Sequence, residues 1–147
     1  MKNKSKPHVR KPSLIDLIHI LCVEDNAAFL KALKSGLERH GFEVVTAIHG
    51  LDALHRFKKR SGKFGAIVTC DDMPEINGLE FIRSVREQGF RGPIFLLSEN
   101  SEPACSEAYY RQQISGFLQK PFEIATLAAL IEVSLLFSIV LLDEQIK

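Results

Sequence analysis

The stretch AIVTCDDMPEING, Ala66 to Gly78, decides how the rest of the chain is read. Its opening residues are small, apolar or β-branched, the composition of a strand buried on both faces. It then delivers a thiol and two carboxylates, Cys70, Asp71 and Asp72, before Met73-Pro74 turns the chain and Asn77-Gly78 leads into a helix. Proline cannot donate to a ladder, so the strand ends before it. A strand that ends in acids and feeds a helix is one βα unit, and the neighbouring sequence repeats the pattern.

Working outward, five such units follow one another. Ile18 to Val23 is the first strand, with a helix capped near Asn26 and stopped at Gly41; its Phe29, Leu30, Leu33 and Leu37 recur every three or four residues. FEVVTA, residues 42–47, is the second strand, with a helix after Gly50 carrying Leu51, Leu54 and Phe57. The third helix presents Leu79, Phe81, Ile82 and Val85. PIFLL is the fourth strand, followed by a weaker helix from Ala104 to Gln112. GFLQ is a short fifth strand, and the last helix begins just after Pro121. This alternation predicts an α/β domain with a parallel sheet covered by helices on both faces.

Composition sets the outer limits. A chain of 147 residues, nearly half of them hydrophobic, can bury one good core. Nineteen basic and eighteen acidic side chains leave a net charge of +1, which gives no reason to expect a polyanionic partner. The local basic excess lies in residues 1–15, expected to form a flexible solvated tail, ahead of a domain at 16–133. Asp16 and His19 break the nearby apolar run, so no signal peptide is expected. An odd number of cysteines without metal-like spacing points to a reducing, cytoplasmic setting. Cys22 reads as a small core residue and Cys105 as an incidental thiol. His19, His40, His49 and His55 lack ligand spacing, and no Ser-His-Asp or Cys-His order places a base beside Cys70, so hydrolase chemistry is disfavoured.

In an open parallel sheet, ligands collect beyond the carboxyl ends of the strands. Those ends carry Glu24 and Asp25, Cys70 to Asp72, Ser98 and Glu99, and Lys120-Pro121. Crowded carboxylates call for a hard divalent cation such as Mg²⁺, while a lysine and a hydroxyl opposite it suit a phosphoryl group. VEDNAAF stands where a glycine-rich nucleotide cradle would be, so nucleotide binding is disfavoured.

These pieces, ILCVEDN, DMPEINGLEFI, IFLLSEN and GFLQKPF, in order and at successive strand ends, resemble response-regulator receiver domains of two-component phosphorelays. The resemblance runs from about residue 17 to 133 and implies a doubly wound five-stranded sheet of order 2-1-3-4-5, flavodoxin-like. It implies Asp25 as a direct Mg²⁺ ligand, Glu24 acting through water, and the Asp72 backbone carbonyl as a further ligand. Ser98 and Lys120 would contact phosphoryl oxygens, Phe117 stands at the switch aromatic without a hydroxyl, and Lys120-Pro121 is expected to be cis. Such a module is not an enzyme; its partners would be a histidine kinase or phosphotransfer protein, a downstream signalling protein, and a second copy through the fourth helix, fifth strand and fifth helix.

The phosphoacceptor aspartate of that pattern is Cys70 here. A thiolate is a soft ligand for Mg²⁺, and acids nearby oppose its ionisation. Three readings follow: a receiver-like module working through its surfaces, a thiol redox sensor, or continued phosphorylation, either at a neighbouring acid or with Cys70 as an engineered replacement. Asp71 should face away from Ser98 and Lys120, because strand side chains alternate. Glu99, after the hydroxyl, crowds the entrance with charge. No helix-turn-helix or basic recognition helix is seen, so no nucleic-acid partner is expected. The ending IATLAALIEVSLLFSIVLLDEQIK extends the fifth helix over 134–147 and is apolar nearly all round. Its first half is needed to cover the sheet, so pairing with a protomer or partner is expected in preference to membrane contact.

Overall fold

The computed structural model describes residues 16–101 and 106–146, with side chains placed at 17–101 and 106–140. The basic tail and Cys105 lie outside the described residues. Five strands, β1 (His19–Val23), β2 (Glu43–Ala47), β3 (Ala66–Cys70), β4 (Ile94–Ser98) and β5 (Gly116–Gln119), form one sheet of order β2-β1-β3-β4-β5. Every pairing is parallel. The helices between and after them are α1 (Ala27–Arg39), α2 (Gly50–Lys59), α3 (Gly78–Glu87), α4 (Glu107–Arg111) and α5 (Ile124–Ile146).

Strand periodicity divides the core in two. Ile20, Cys22, Val68, Phe95 and Leu97 face α1 and α5, meeting Leu30, Leu33 and Leu37 on one and Leu127, Ala128, Ile131 and Leu135 on the other. Leu21, Val23, Ile67, Ile94 and Leu96 face the other way, onto Phe57 of α2, Phe81, Ile82 and Val85 of α3, and Tyr109 of α4. β3 and β4 are buried throughout, as central strands must be. Cys22 is fully buried, the core position expected of it.

Local signals end the helices where they were expected to. Asn26 caps α1 by accepting from the Phe29 amide at 3.0 Å, and Gly41 takes φ +90° just beyond the last turn. Asn77 and Ser106 cap α3 and α4 in the same way. His49 caps α2 by accepting from the Asp52 amide at 3.1 Å. His19 pairs with Glu43 at 2.8 Å. α4 is shorter than the apolar pattern suggested, five residues where nine were expected, with 102–105 not described. The Lys120-Pro121 peptide is cis.

Candidate functional site at the strand ends

The topology brings the ends of β1, β3, β4 and β5 to one rim. There a cleft of about 330 Å³ is lined by Cys70, Asp71, Asp72, Asn77, Leu97, Ser98, Glu99, Asn100 and Lys120. Close packing of the β3–α3 loop shapes it: the Gly78 amide donates to the Asp71 carbonyl at 2.7 Å, and a Cβ on Gly78 would lie 2.4 Å from the Cys70 carbonyl oxygen. Only glycine fits there.

Cys70 is almost fully buried at 3% exposure. Its Sγ lies 4.0 Å from Asp25 Oδ1 and 3.7 Å from the Asp72 carbonyl oxygen. Burial first, and then the Glu24 carboxylate, push its thiol up to about 12. Burial therefore outweighs the neighbouring acids emphasised by the sequence. A neutral, enclosed thiol is a poor nucleophile, because the thiolate is the reactive form.

Glu24 is buried and doubly held. Its Oε2 accepts from Lys120 Nζ at 2.7 Å, and its Oε1 from the Asn26 amide at 3.2 Å. The same ammonium lies 4.5 Å from the centre of the Phe29 ring. Lys120 thus lines the cleft while engaged with Glu24 and Phe29. Ser98 is buried at the rim, and its Oγ accepts from the Asn100 amide at 3.1 Å. Asp25 and Asp72 are exposed.

Ligand atoms of Glu24, Asp25 and Cys70 lie within 4.8 Å of one another. This donor set fits Mg²⁺ at the two carboxylates, with the Asp72 carbonyl close by. It does not fit at Cys70, since a small hard cation wants oxygen there.

Phe117 does not join this group. It is half-buried on the second core cluster and lines a separate hollow with Tyr110, Arg111, Gln113, Ile114 and Gly116. Asp71 points to the α4 side of the sheet, as strand alternation requires, and there accepts a hydrogen bond from the Tyr109 hydroxyl. Tyr109 is buried at 3%, and burial together with the Asp71 carboxylate raises its hydroxyl pKa above the usual phenol range. Sequence reading missed Tyr109, because a pairing across 38 residues leaves no local mark. It also missed Arg86, which donates to the backbone carbonyls of Phe90, Gly92, Gln112 and Gln113 and so ties α3 to the loops before β4 and β5.

Comparison with known proteins agrees with this architecture. Residues 20–132 match the family model described as the response regulator receiver domain. The alkaline phosphatase synthesis transcriptional regulatory protein SphR of Synechococcus elongatus is 30% identical over 125 residues, 80% of this chain and 49% of that protein. The transcriptional regulatory protein PrrA of Mycobacterium leprae is 33% identical over 110 residues, 75% and 46%. The chain therefore spans about half the length of these curated relatives. Among solved structures, the chemotaxis response regulator CheY4 of Vibrio cholerae superposes with a TM-score of 0.69 at 29% identity, covering 79% of this chain and 97% of that one. A receiver domain protein from Clostridium thermocellum reaches a TM-score of 0.76 at 21% identity over 84% and 98%, a likeness of fold. The chain belongs to the response regulator receiver domain family, the signalling modules of two-component systems, which are not enzymes.

Proposed function

We propose that this receiver domain signals through protein contacts, with a phosphorylation site altered at Cys70. The observation that carries the reading is the buried thiol at the end of β3, pushed up to about 12, where the family pattern calls for an aspartate. The engagement of Lys120 by Glu24 at 2.7 Å supports it, since the lysine's charge is already neutralised. Asp25 and the Asp72 carbonyl still offer oxygens to Mg²⁺, with affinity weakened by sulfur at position 70. Ser98 and Lys120 stand at the positions of the family's phosphoryl-contacting groups, with Lys120 held by Glu24, and Phe117 at that of the switch aromatic. Burial argues against Cys70 as a redox sensor, because sensor thiols are exposed and of low pKa.

Receiver domains interact with histidine kinases or phosphotransfer proteins, and the partner of this one comes from that class or from a downstream signalling protein. The contact face is that of α4, β5 and α5, and the module, residues 16–133 with its helical extension, works in the cytoplasm. The expectation of no nucleic-acid partner has no support, since relatives that extend well beyond the matched region are named transcriptional regulatory proteins.

Intact mass after incubation with Mg²⁺ and a small acyl phosphate tests the proposal. The parent should gain no phosphoryl group, while Cys70→Asp should gain one and bind beryllofluoride. A phosphoryl group on the parent, mapped to Asp71 or Asp72, would establish a relocated acceptor and overturn the reading. Failure of both proteins would implicate Glu99 or the Lys120–Glu24 pair in closing the site.

A further inference from the structure

The rim opposite the cleft, where β4 and β5 begin, gathers two arginines. Arg86 of α3, Arg91 just before β4, Gln113 and Ser115 before β5, and Ser134 and Phe137 of α5 line an open pocket of about 270 Å³. The Arg86 guanidinium spends four of its five N–H groups on the carbonyls of Phe90, Gly92, Gln112 and Gln113. Arg91 Nη1 donates to the Arg86 carbonyl at 3.2 Å, which brings the second cation beside the first. Burial, and then the Arg91 charge, push Arg86 down to about 10. Carbonyls orient a guanidinium without neutralising it. Among the described residues no carboxylate lines the pocket, and neither arginine enters an ion pair.

We propose that this pocket binds the dianionic phosphate of a small phosphomonoester, with Arg86 and Arg91 supplying charge and Ser115 and Ser134 supplying hydroxyl donors. It is a second site, at the opposite end of the sheet from the strand-end cleft, and it is independent of the Cys70 reading.

Three properties select that chemistry. The first is charge. Charges drawn out of water are ordinarily paired, and here two guanidiniums share a pocket with no carboxylate to answer them. A carboxylate ligand would answer one; a phosphate monoester, close to doubly charged at neutral pH, answers both. The second is the donor supply. Arg91 keeps most of its fork free, Arg86 keeps one N–H, and Ser115 and Ser134 add hydroxyls, a set suited to several terminal oxygens at once. The third is shape. The volume lies just below the usual range of small-molecule pockets, and Pro93 and the exposed Phe137 ring form an apolar wall for a short organic group beside the phosphate. The helix dipole offers a plainer reason for a basic residue at a helix end. It accounts for Arg86, in the last turn of α3, but not for Arg91, which lies beyond the cap at Gln88.

Amide chemical-shift mapping of the full chain with phenyl phosphate, in the absence of divalent cations, tests the proposal. Shifts should gather at residues 91–93, 113–115 and 134–137 and saturate with a Kd of about 1 mM or below. Arg91→Gln should weaken binding at least tenfold, and Ser115→Ala combined with Ser134→Ala about threefold. Arg83→Gln, at an exposed α3 arginine outside the pocket, should leave binding unchanged. Benzoate, with the same ring and a single charge, should bind at least tenfold more weakly than phenyl phosphate. The phosphate can belong to a soluble compound or to a lipid headgroup. Co-flotation with phosphatidic acid vesicles that Arg91→Gln abolishes assigns it to a lipid, and phenyl phosphate binding without co-flotation assigns it to a soluble ligand. No response at about 10 mM phenyl phosphate overturns the proposal. So does binding that survives Arg91→Gln, benzoate that binds as tightly, or shifts confined to residues 70–72, 98 and 120. None of these readouts involves phosphoryl transfer, so failure here and failure of the Cys70 reading are separable.

Discussion

Lys120 Nζ and Glu24 Oε2 lie 2.7 Å apart, and the Glu24 side chain is only 1% exposed, so Lys120 is committed to a buried carboxylate. Removing one member of such a pair strands the other's charge in a low-dielectric site. Lys120→Ala should destabilise the domain by roughly 2 to 3 kcal/mol, whereas Lys120→Ala with Glu24→Gln should recover part of that loss. Urea unfolding of the single and double variants measures both, and additive losses would show that the two side chains are uncoupled.

The thiols give a pH signature. Cys70 is pushed from 9.0 up to about 12, mainly by burial and then by Glu24, and Cys22 to about 12 by burial. In each case the folded state holds its proton more tightly than the unfolded chain. The stability involved is complete below pH 9 and is lost as pH rises from 9 towards 12. Unfolding free energy should therefore fall with pH across the accessible lower part of that window, and Cys70→Ala should make the fall shallower. At pH 7.5, alkylation of Cys70 by iodoacetamide should be at least tenfold slower in the folded protein than in 6 M guanidinium.

Tyr109 holds α4 to the site by donating to Asp71. Tyr109→Phe keeps the ring in its pocket and leaves the carboxylate without that donor, at a cost of about 1 kcal/mol. Amide exchange in residues 107–111 should accelerate, while exchange in α1, on the far face of the sheet, should not. Uniform acceleration through both helices would mean that the hydroxyl supports global stability only.

Arg86 satisfies four carbonyls with one planar guanidinium. Lysine has the charge but lacks the fork, so Arg86→Lys should cost about 2 kcal/mol, close to the cost of Arg86→Ala once side-chain packing is allowed for. Thermal unfolding of the two variants decides the matter: a lysine variant as stable as the parent would show that charge alone suffices.

Most of the architecture is legible in the amino-acid sequence. Hydrophobic period separates strands from helices within a dozen residues, and the acids of VEDN and TCDDMP, with LLSEN and QKPF, stand at strand ends by position alone. What could not be read were the pairings. Nothing local says that Lys120 meets Glu24 across 96 residues, that Asp71 finds Tyr109, or that Arg86 reaches Gln112 and Gln113. α4 was misjudged in length because its apolar signal is weak and a single residue, Tyr109, is buried.

By itself, the sequence determined the five βα units, the rim on which their chemistry collects and the thiol standing where the family pattern has an acid, because periodicity, turn chemistry and residue type are local properties. Only the tertiary structure decided that Cys70 is enclosed and neutral, that Lys120 is neutralised by Glu24, and that Arg86 and Arg91 line one pocket with no carboxylate among its described residues. Burial and pairing are properties of what surrounds a side chain, and here those surroundings come from segments distant in the chain.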